Sequence, residues 1–148
     1  MTEETHQMDK FNFLLGKWNL EYRVPKSQFS EVDSGKGEGE FKRVLNDRYV
    51  TFDYHSKLSG GEGRAHAIFT WDEKSKIYRY WWFEDSGAFM EATCNFLDEN
   101  TLCLNWHDSI LVQTFSRAEN GKVVLEMRYP QNKTDYEVVL EVIFTKKE

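Results

Sequence analysis

The sequence predicts an all-β fold: one closed antiparallel barrel of ten strands running up and down around a single core. Three observations carry that expectation. After residue 16 no segment sustains apolar residues at helical spacing. Ten segments of strand-forming residues follow, each bounded by turn formers. The links between them are short, so consecutive strands run antiparallel. A ten-strand meander hides its two edges most simply by closing on itself. A two-sheet sandwich is the alternative, but it usually brings longer crossing connections.

Residues 1–8 are polar and read as a tail. Residues 9–16 predict a short helix, with Asp9 as N-cap, Phe11, Leu14 and Leu15 at helical spacing, and Gly16 as the stop. Strands are expected at 17–25, 37–45, 48–58, 63–71, 76–84, 87–96, 101–107, 110–118, 122–129 and 135–145. Asn46-Asp47, Ser59-Gly60-Gly61, 72–75, Asp85-Ser86-Gly87, Asp98-Glu99-Asn100, Asn120-Gly121 and 130–133 break the pattern between strands. Asn120-Gly121 is the strongest hairpin signal. The one long connection is 26–36. The run Gly35-Lys36-Gly37-Glu38-Gly39 lacks the Lys-Ser/Thr ending and the following helix of a phosphate loop, so it reads as a flexible lead into the next strand. No domain boundary appears, and 9–148 reads as a single domain.

Composition narrows the class. The chain has 148 residues, a net charge of -6, 40% hydrophobic and 30% charged residues. That is too apolar for a disordered chain and too polar for a membrane protein. The acidic balance argues against nucleic acid as a partner. No run nears the roughly 18 apolar residues of a membrane helix, and the first residues carry no secretory signal. Two cysteines form no CxxC pair. A cytoplasmic protein is expected.

Alternation assigns the faces. Trp18, Leu20, Tyr22 and Val24 point inward, as do Val50, Phe52 and Tyr54; Met90, Ala92, Cys94 and Phe96; Leu102, Leu104 and Trp106; Val123, Leu125, Met127 and Tyr129; and Tyr136, Val138, Leu140, Val142 and Phe144. Pairing 94 with 104 points Cys94 in and Cys103 out, which predicts two free thiols. Strands 63–71 and 76–84 do not sort. In 76–84 both faces are aromatic, so a partner subunit, the 26–36 loop or the N-terminal segment is expected to cover the outside.

Three motifs carry a family resemblance over about 11–130. They are Phe13-Leu14-Leu15-Gly16-Lys17-Trp18, then Trp71-Asp72-Glu73-Lys74-Ser75-Lys76-Ile77-Tyr78, then Trp81-Trp82-Phe83-Glu84-Asp85-Ser86-Gly87. Gly16-Lys17-Trp18 resembles the Gly-x-Trp signature of calycins and lipocalins, where the Trp closes one end of the barrel. The set together resembles domain-of-unknown-function family 1579. The resemblance implies a calycin-like barrel and supplies no activity.

The leading functional expectation is a small hydrophobic or aromatic molecule bound inside the barrel. The candidate lining is Tyr22, Arg43, Phe52, Tyr54, His66, Arg79, Trp82, Glu84, Met90, Trp106 and Tyr129. Arg43 shares a face with Phe41 and needs a carboxylate or an anion if it points inward, with Glu84 as candidate partner. His66 is the histidine expected to face the interior; His6, His55 and His107 read as tail, surface and rim. Heme is an alternative, because some ten-stranded calycin-like barrels hold it through one axial His, but nothing in the sequence specifies it. No cofactor is expected, and no His, Cys or carboxylate set has metal-ligand spacing. His107-Asp108-Ser109 holds three triad residue types, yet strand neighbours point to opposite faces, so no catalytic residue is assigned. A small enzyme using the cavity and a homodimer joined through 63–84 are the other readings.

Overall fold

The computed structural model describes residues 3–107 and 109–147. Ten strands follow a helical N-terminal segment: β1 (Gly16–Val24), β2 (Asp33–Val44), β3 (Tyr49–Leu58), β4 (Gly61–Asp72), β5 (Ile77–Glu84), β6 (Phe89–Asp98), β7 (Thr101–Trp106), β8 (Val112–Arg117), β9 (Val123–Pro130) and β10 (Tyr136–Lys146). Each strand pairs antiparallel with its sequence neighbour, and β1 also pairs with β10, which closes the barrel. Strand ends fall within two residues of the expected ones except for β2, which begins at Asp33. The glycine run is therefore no flexible lead. It is mid-strand and paired on both sides.

The reason for those glycines is steric. Gly37 and Gly39 face inward, and aromatic rings lie against the backbone where side chains would stand. A Cβ at Gly37 would fall 2.3 Å from the His55 carbonyl and 3.2 Å from the Tyr22 ring; one at Gly39 would fall 2.5 Å from the Phe52 ring.

The N-terminal helix begins earlier than expected. α1 (Glu3–Met8) runs into a 3-10 turn over Asp9–Leu14, so residues 3–8 of the region read as a tail are helical. Asp9 is not the N-cap; its carboxylate takes a 2.6 Å hydrogen bond from Arg43 Nη1. Met8, Phe11 and Leu14 are fully buried and plug the end of the barrel at which β1 begins. Phe11 lies 5.1 Å from Phe69, 5.4 Å from Tyr78 and 5.1 Å from Phe96, ring centre to ring centre. The Tyr78 hydroxyl donates to the Gln7 carbonyl at 2.8 Å. Trp18 closes this end as the Gly-x-Trp resemblance implies, donating through Nε1 to the Leu14 carbonyl at 2.7 Å.

Alternation holds along most strands, with one break. Val139 is an extra residue in β10: Val138 pairs with Arg128, and Leu140 pairs with Met127. A bulge reverses the parity beyond it. Tyr136 and Val138, expected inside, therefore share the outer side with Arg128, whose guanidinium lies over the Tyr136 ring at 5.5 Å. The β6–β7 register pairs Cys94 with Leu104 and Asn95 with Cys103, as expected. Both thiols are free and both are buried, Cys103 too despite its outward face.

Neither the N-terminal segment nor the 26–36 loop covers the outer side of β4 and β5. Phe83 and Phe89 stay exposed, and Trp81 donates to Glu91 at 3.2 Å. The N-terminal segment packs into the barrel end instead, and the 25–32 connection reaches Tyr129 through Phe29.

Candidate functional site

The interior has two halves. Toward the plug it is filled. Phe41 and Phe52 stack at 3.9 Å, Phe52 and Tyr54 at 4.5 Å, and Phe69, Phe115 and Phe144 complete the packing. Toward the opposite end, where β1 and β3 finish, the interior holds a cavity of about 210 Å³. The filling is set by the sequence order along each strand. The phenylalanine rings cluster near the plug, while Met90, Leu125, Met127 and Leu140 stand between the Tyr and Trp walls nearer the mouth.

One wall comes from β1, β3 and β5, through Tyr22, Tyr54 and Trp82. Two of its polar contacts lie within the protein. Trp82 Nε1 donates to the Tyr54 hydroxyl at 2.8 Å, and the Ser56 hydroxyl neighbours Tyr22. The facing wall comes from β5, β7 and β8, through Tyr80, Trp106 and Gln113. There the side chains are buried, Trp106 to 9% and Gln113 to 5% exposure. Trp106 Nε1 has no acceptor among the described residues. Tyr80 meets Trp106 edge to face at 5.4 Å. No lining side chain is charged. Burial raises the pKa of Tyr22, Tyr54 and Tyr80 above the ordinary phenol value, so these hydroxyls stay protonated at neutral pH.

Of the residues singled out in the sequence, Tyr22, Tyr54, Trp82, Met90 and Trp106 line this cavity. Phe52 lies beneath it in the packed half, against Phe41 and Tyr54. Tyr129 stands at the mouth, its ring 4.8 Å from that of Phe29. Glu84 sits at the rim and accepts a 2.6 Å hydrogen bond from the Ser86 hydroxyl.

Three residues stand elsewhere. Arg43 is inward but at the plugged end, and it pairs with the Asp9 and Asp47 carboxylates rather than with Glu84. The sequence could not pair Arg43 with Asp9, because the link comes from a segment read as a helix with its cap at Asp9. His66 faces outward and pairs with Asp53, its direct cross-strand neighbour. Arg79 also faces outward, its Nε 2.7 Å from the Asp72 carboxylate. The same carboxylate receives the Lys74 and Ser75 amides, so the Asp-centred motif of the resemblance builds a turn.

His55 pairs with Glu38 and His107 with Glu91 on the outer surface. The cavity lining thus offers no imidazole as an axial ligand for heme. Asp108 lies outside the described residues. Broader depressions of about 720 and 750 Å³ lie over the outer side of β2 and its neighbours, but their walls mix charges of both signs, including Lys36, Glu38, Arg64 and Lys147.

Tyr80 and Gln113 were missed as lining residues. Tyr80 lies on a strand whose two faces are equally aromatic. Gln113 was findable: it shares a face with Phe115 and pairs with inward Leu104.

A closed ten-stranded up-and-down barrel, plugged by its N-terminal helix and hollow at the far end, is a calycin-like barrel. The chain belongs to the family described as protein of unknown function DUF1579, whose model matches residues 2–109. That match ends before β8, so the wall supplied by Gln113, Leu125, Met127 and Leu140 lies beyond it. No curated protein matches the chain. Among solved structures, Rv2717c from M. tuberculosis is similar at 9% identity and a TM-score of 0.64, over 100% of this chain and 99% of that one. A de novo designed fluorescence-activating β-barrel is similar at 13% identity and a TM-score of 0.46, over 94% of this chain and 98% of that one. No helix among the described residues is long and apolar enough to cross a membrane.

Proposed function

We propose that this protein binds a small hydrophobic or aromatic molecule in the hollow half of its barrel. The observation that carries the reading is the cavity itself, ringed by Tyr22, Tyr54, Trp82, Met90 and Trp106 above a core of packed phenylalanine rings. Apolar walls with a few placed polar groups are the usual make-up of a small-molecule site. Its volume suits a guest of one or two rings, since a dry cavity of about 150 Å³ already accepts benzene. An enzyme reading asks for two ionisable groups converging in the cavity, and the lining supplies only protonated phenols. The homodimer reading rests on the exposed Phe83 and Phe89 alone. A cytoplasmic setting accords with two unpaired thiols.

Native mass spectrometry tests the proposal. The wild-type protein, incubated with indane, is expected to carry one indane per chain. Leu125→Trp places an indole in the cavity and is expected to abolish that uptake while the fold persists by circular dichroism. A wild-type protein that takes up no indane would overturn the reading.

A further inference from the structure

Resting on that reading of the cavity, we infer that the guest is a neutral cyclic amide, with an N–H and a C=O side by side on one edge, and that the carboxamide of Gln113 selects it. Gln113 alternates with Val112 and Thr114 in β8 and shares the inner face with Phe115, so its side chain lines the cavity. It is 5% exposed. Its cross-strand neighbours on that face, Leu104 and Met127, are apolar and offer it no nitrogen or oxygen. Among the described residues the carboxamide makes no hydrogen bond. It is not sealed off as the Trp106 indole nitrogen is, so its atoms border the open space of the cavity. An amide withdrawn from bulk water without a partner costs free energy, and a guest that pairs with it recovers that cost.

The other polar groups of the lining do not specify the same edge. The Tyr54 hydroxyl accepts from Trp82 and keeps its own proton to donate. The Tyr80 hydroxyl has no hydrogen-bond partner among the described residues. Each hydroxyl turns about its C–O bond and presents one proton. The carboxamide alone sets a donor and an acceptor side by side in one plane. Its complement is a second amide in the cis form, whose N–H meets the Gln113 oxygen and whose C=O meets the Gln113 nitrogen. A ring enforces that form. The guest's carbonyl keeps a second lone pair for a tyrosine proton. The absence of any charged lining side chain selects a neutral guest, since an ion would be desolvated with no countercharge.

The probes are indane, 2-indanone and oxindole, three bicyclic molecules of nearly one size. 2-Indanone adds a carbonyl to indane, and oxindole replaces the CH2 beside that carbonyl with N–H. Calorimetric titration of the full chain is expected to show oxindole bound about tenfold more tightly than 2-indanone, the usual net effect of one hydrogen bond to a buried acceptor. Gln113→Met keeps the length of the side chain and removes both polar atoms. It is expected to bring those two affinities together while indane still binds. A measurement on the wild-type protein guards against a misfolded variant: the side-chain amide protons of Gln113 are expected to move downfield with oxindole and to lack that shift with indane. An oxindole preference that survives in Gln113→Met would overturn the inference while leaving the cavity as a binding site. Equal wild-type affinities with those protons unmoved would do the same, as when a water serves the carboxamide. Failure of all three probes to bind would instead overturn the site itself.

Discussion

Phe11→Ala lowers the free energy of unfolding by about 3–5 kcal/mol, the range for truncating a fully buried aromatic ring. Phe11 has no exposed surface and touches three other rings, Phe69, Tyr78 and Phe96, each from a different strand of the barrel. Those strands cannot collapse onto the gap, because barrel closure fixes their spacing. The N-terminal segment is thus part of the core rather than an appendage. Urea denaturation followed by tryptophan fluorescence measures the loss. Lys10→Ala, on the exposed side of the same 3-10 turn, is expected to stay within about 0.5 kcal/mol of wild type. A loss below about 1 kcal/mol for Phe11→Ala would show that the plug is not seated as described.

Gly37→Ala costs about 1–3 kcal/mol through overpacking. The new methyl would meet the His55 carbonyl, a backbone atom held in the β2–β3 ladder, and the Tyr22 ring behind it. Neither can swing aside freely: one is paired backbone, and the other is a buried ring on the cavity wall. The variant is therefore expected to weaken indane uptake as well as stability. Gly60→Ala is the control, since its Cβ would meet nothing within 4 Å. Its unfolding midpoint is expected at or slightly above the wild-type value, because alanine restricts the unfolded chain. Equal midpoints for Gly37→Ala and wild type would contradict the close approach of β2 to the interior rings.

Much of the fold was legible because strand alternation and turn chemistry are local signals. The turn around Asp98–Asn100 placed Cys94 opposite Leu104, and the structure has that register. The inward face of β1 could be read directly from Trp18, Leu20 and Tyr22. Local signals fail where a non-local event decides. One residue, Val139, reverses the facing of Tyr136, and nothing in a Val-Val pair announces a bulge. The Asp9 partner of Arg43 comes from a segment 34 residues earlier in the chain.

The site was legible in part for the same reason. Tyr22, Tyr54, Met90 and Trp106 follow from alternation alone. The motifs that carry the family resemblance mostly build turns and the closed end: Trp18 seals the plug, Asp72 caps a turn, and the Asp85 carboxylate holds the Arg64 amide at 3.1 Å. Trp82 is the one residue of those motifs that lines the cavity. The resemblance therefore identifies the scaffold and says little of the guest. His66 and Arg79 were drawn inward by the chemistry they would offer, yet each has a carboxylate beside it on the outer face. A charged or polar side chain settles where a partner and water are both available.

Binding inside the barrel requires an interior that is open and apolar beyond the phenylalanine stack. Xenon tests it without assuming any ligand, since it enters dry apolar cavities. A crystal pressurised with xenon is expected to show one strong anomalous peak between Trp82, Trp106 and Met127, and the Leu125→Trp crystal is expected to lack it. An interior without that peak, with the side chains of β9 and β10 packed against Tyr22 and Trp82, would contradict the account.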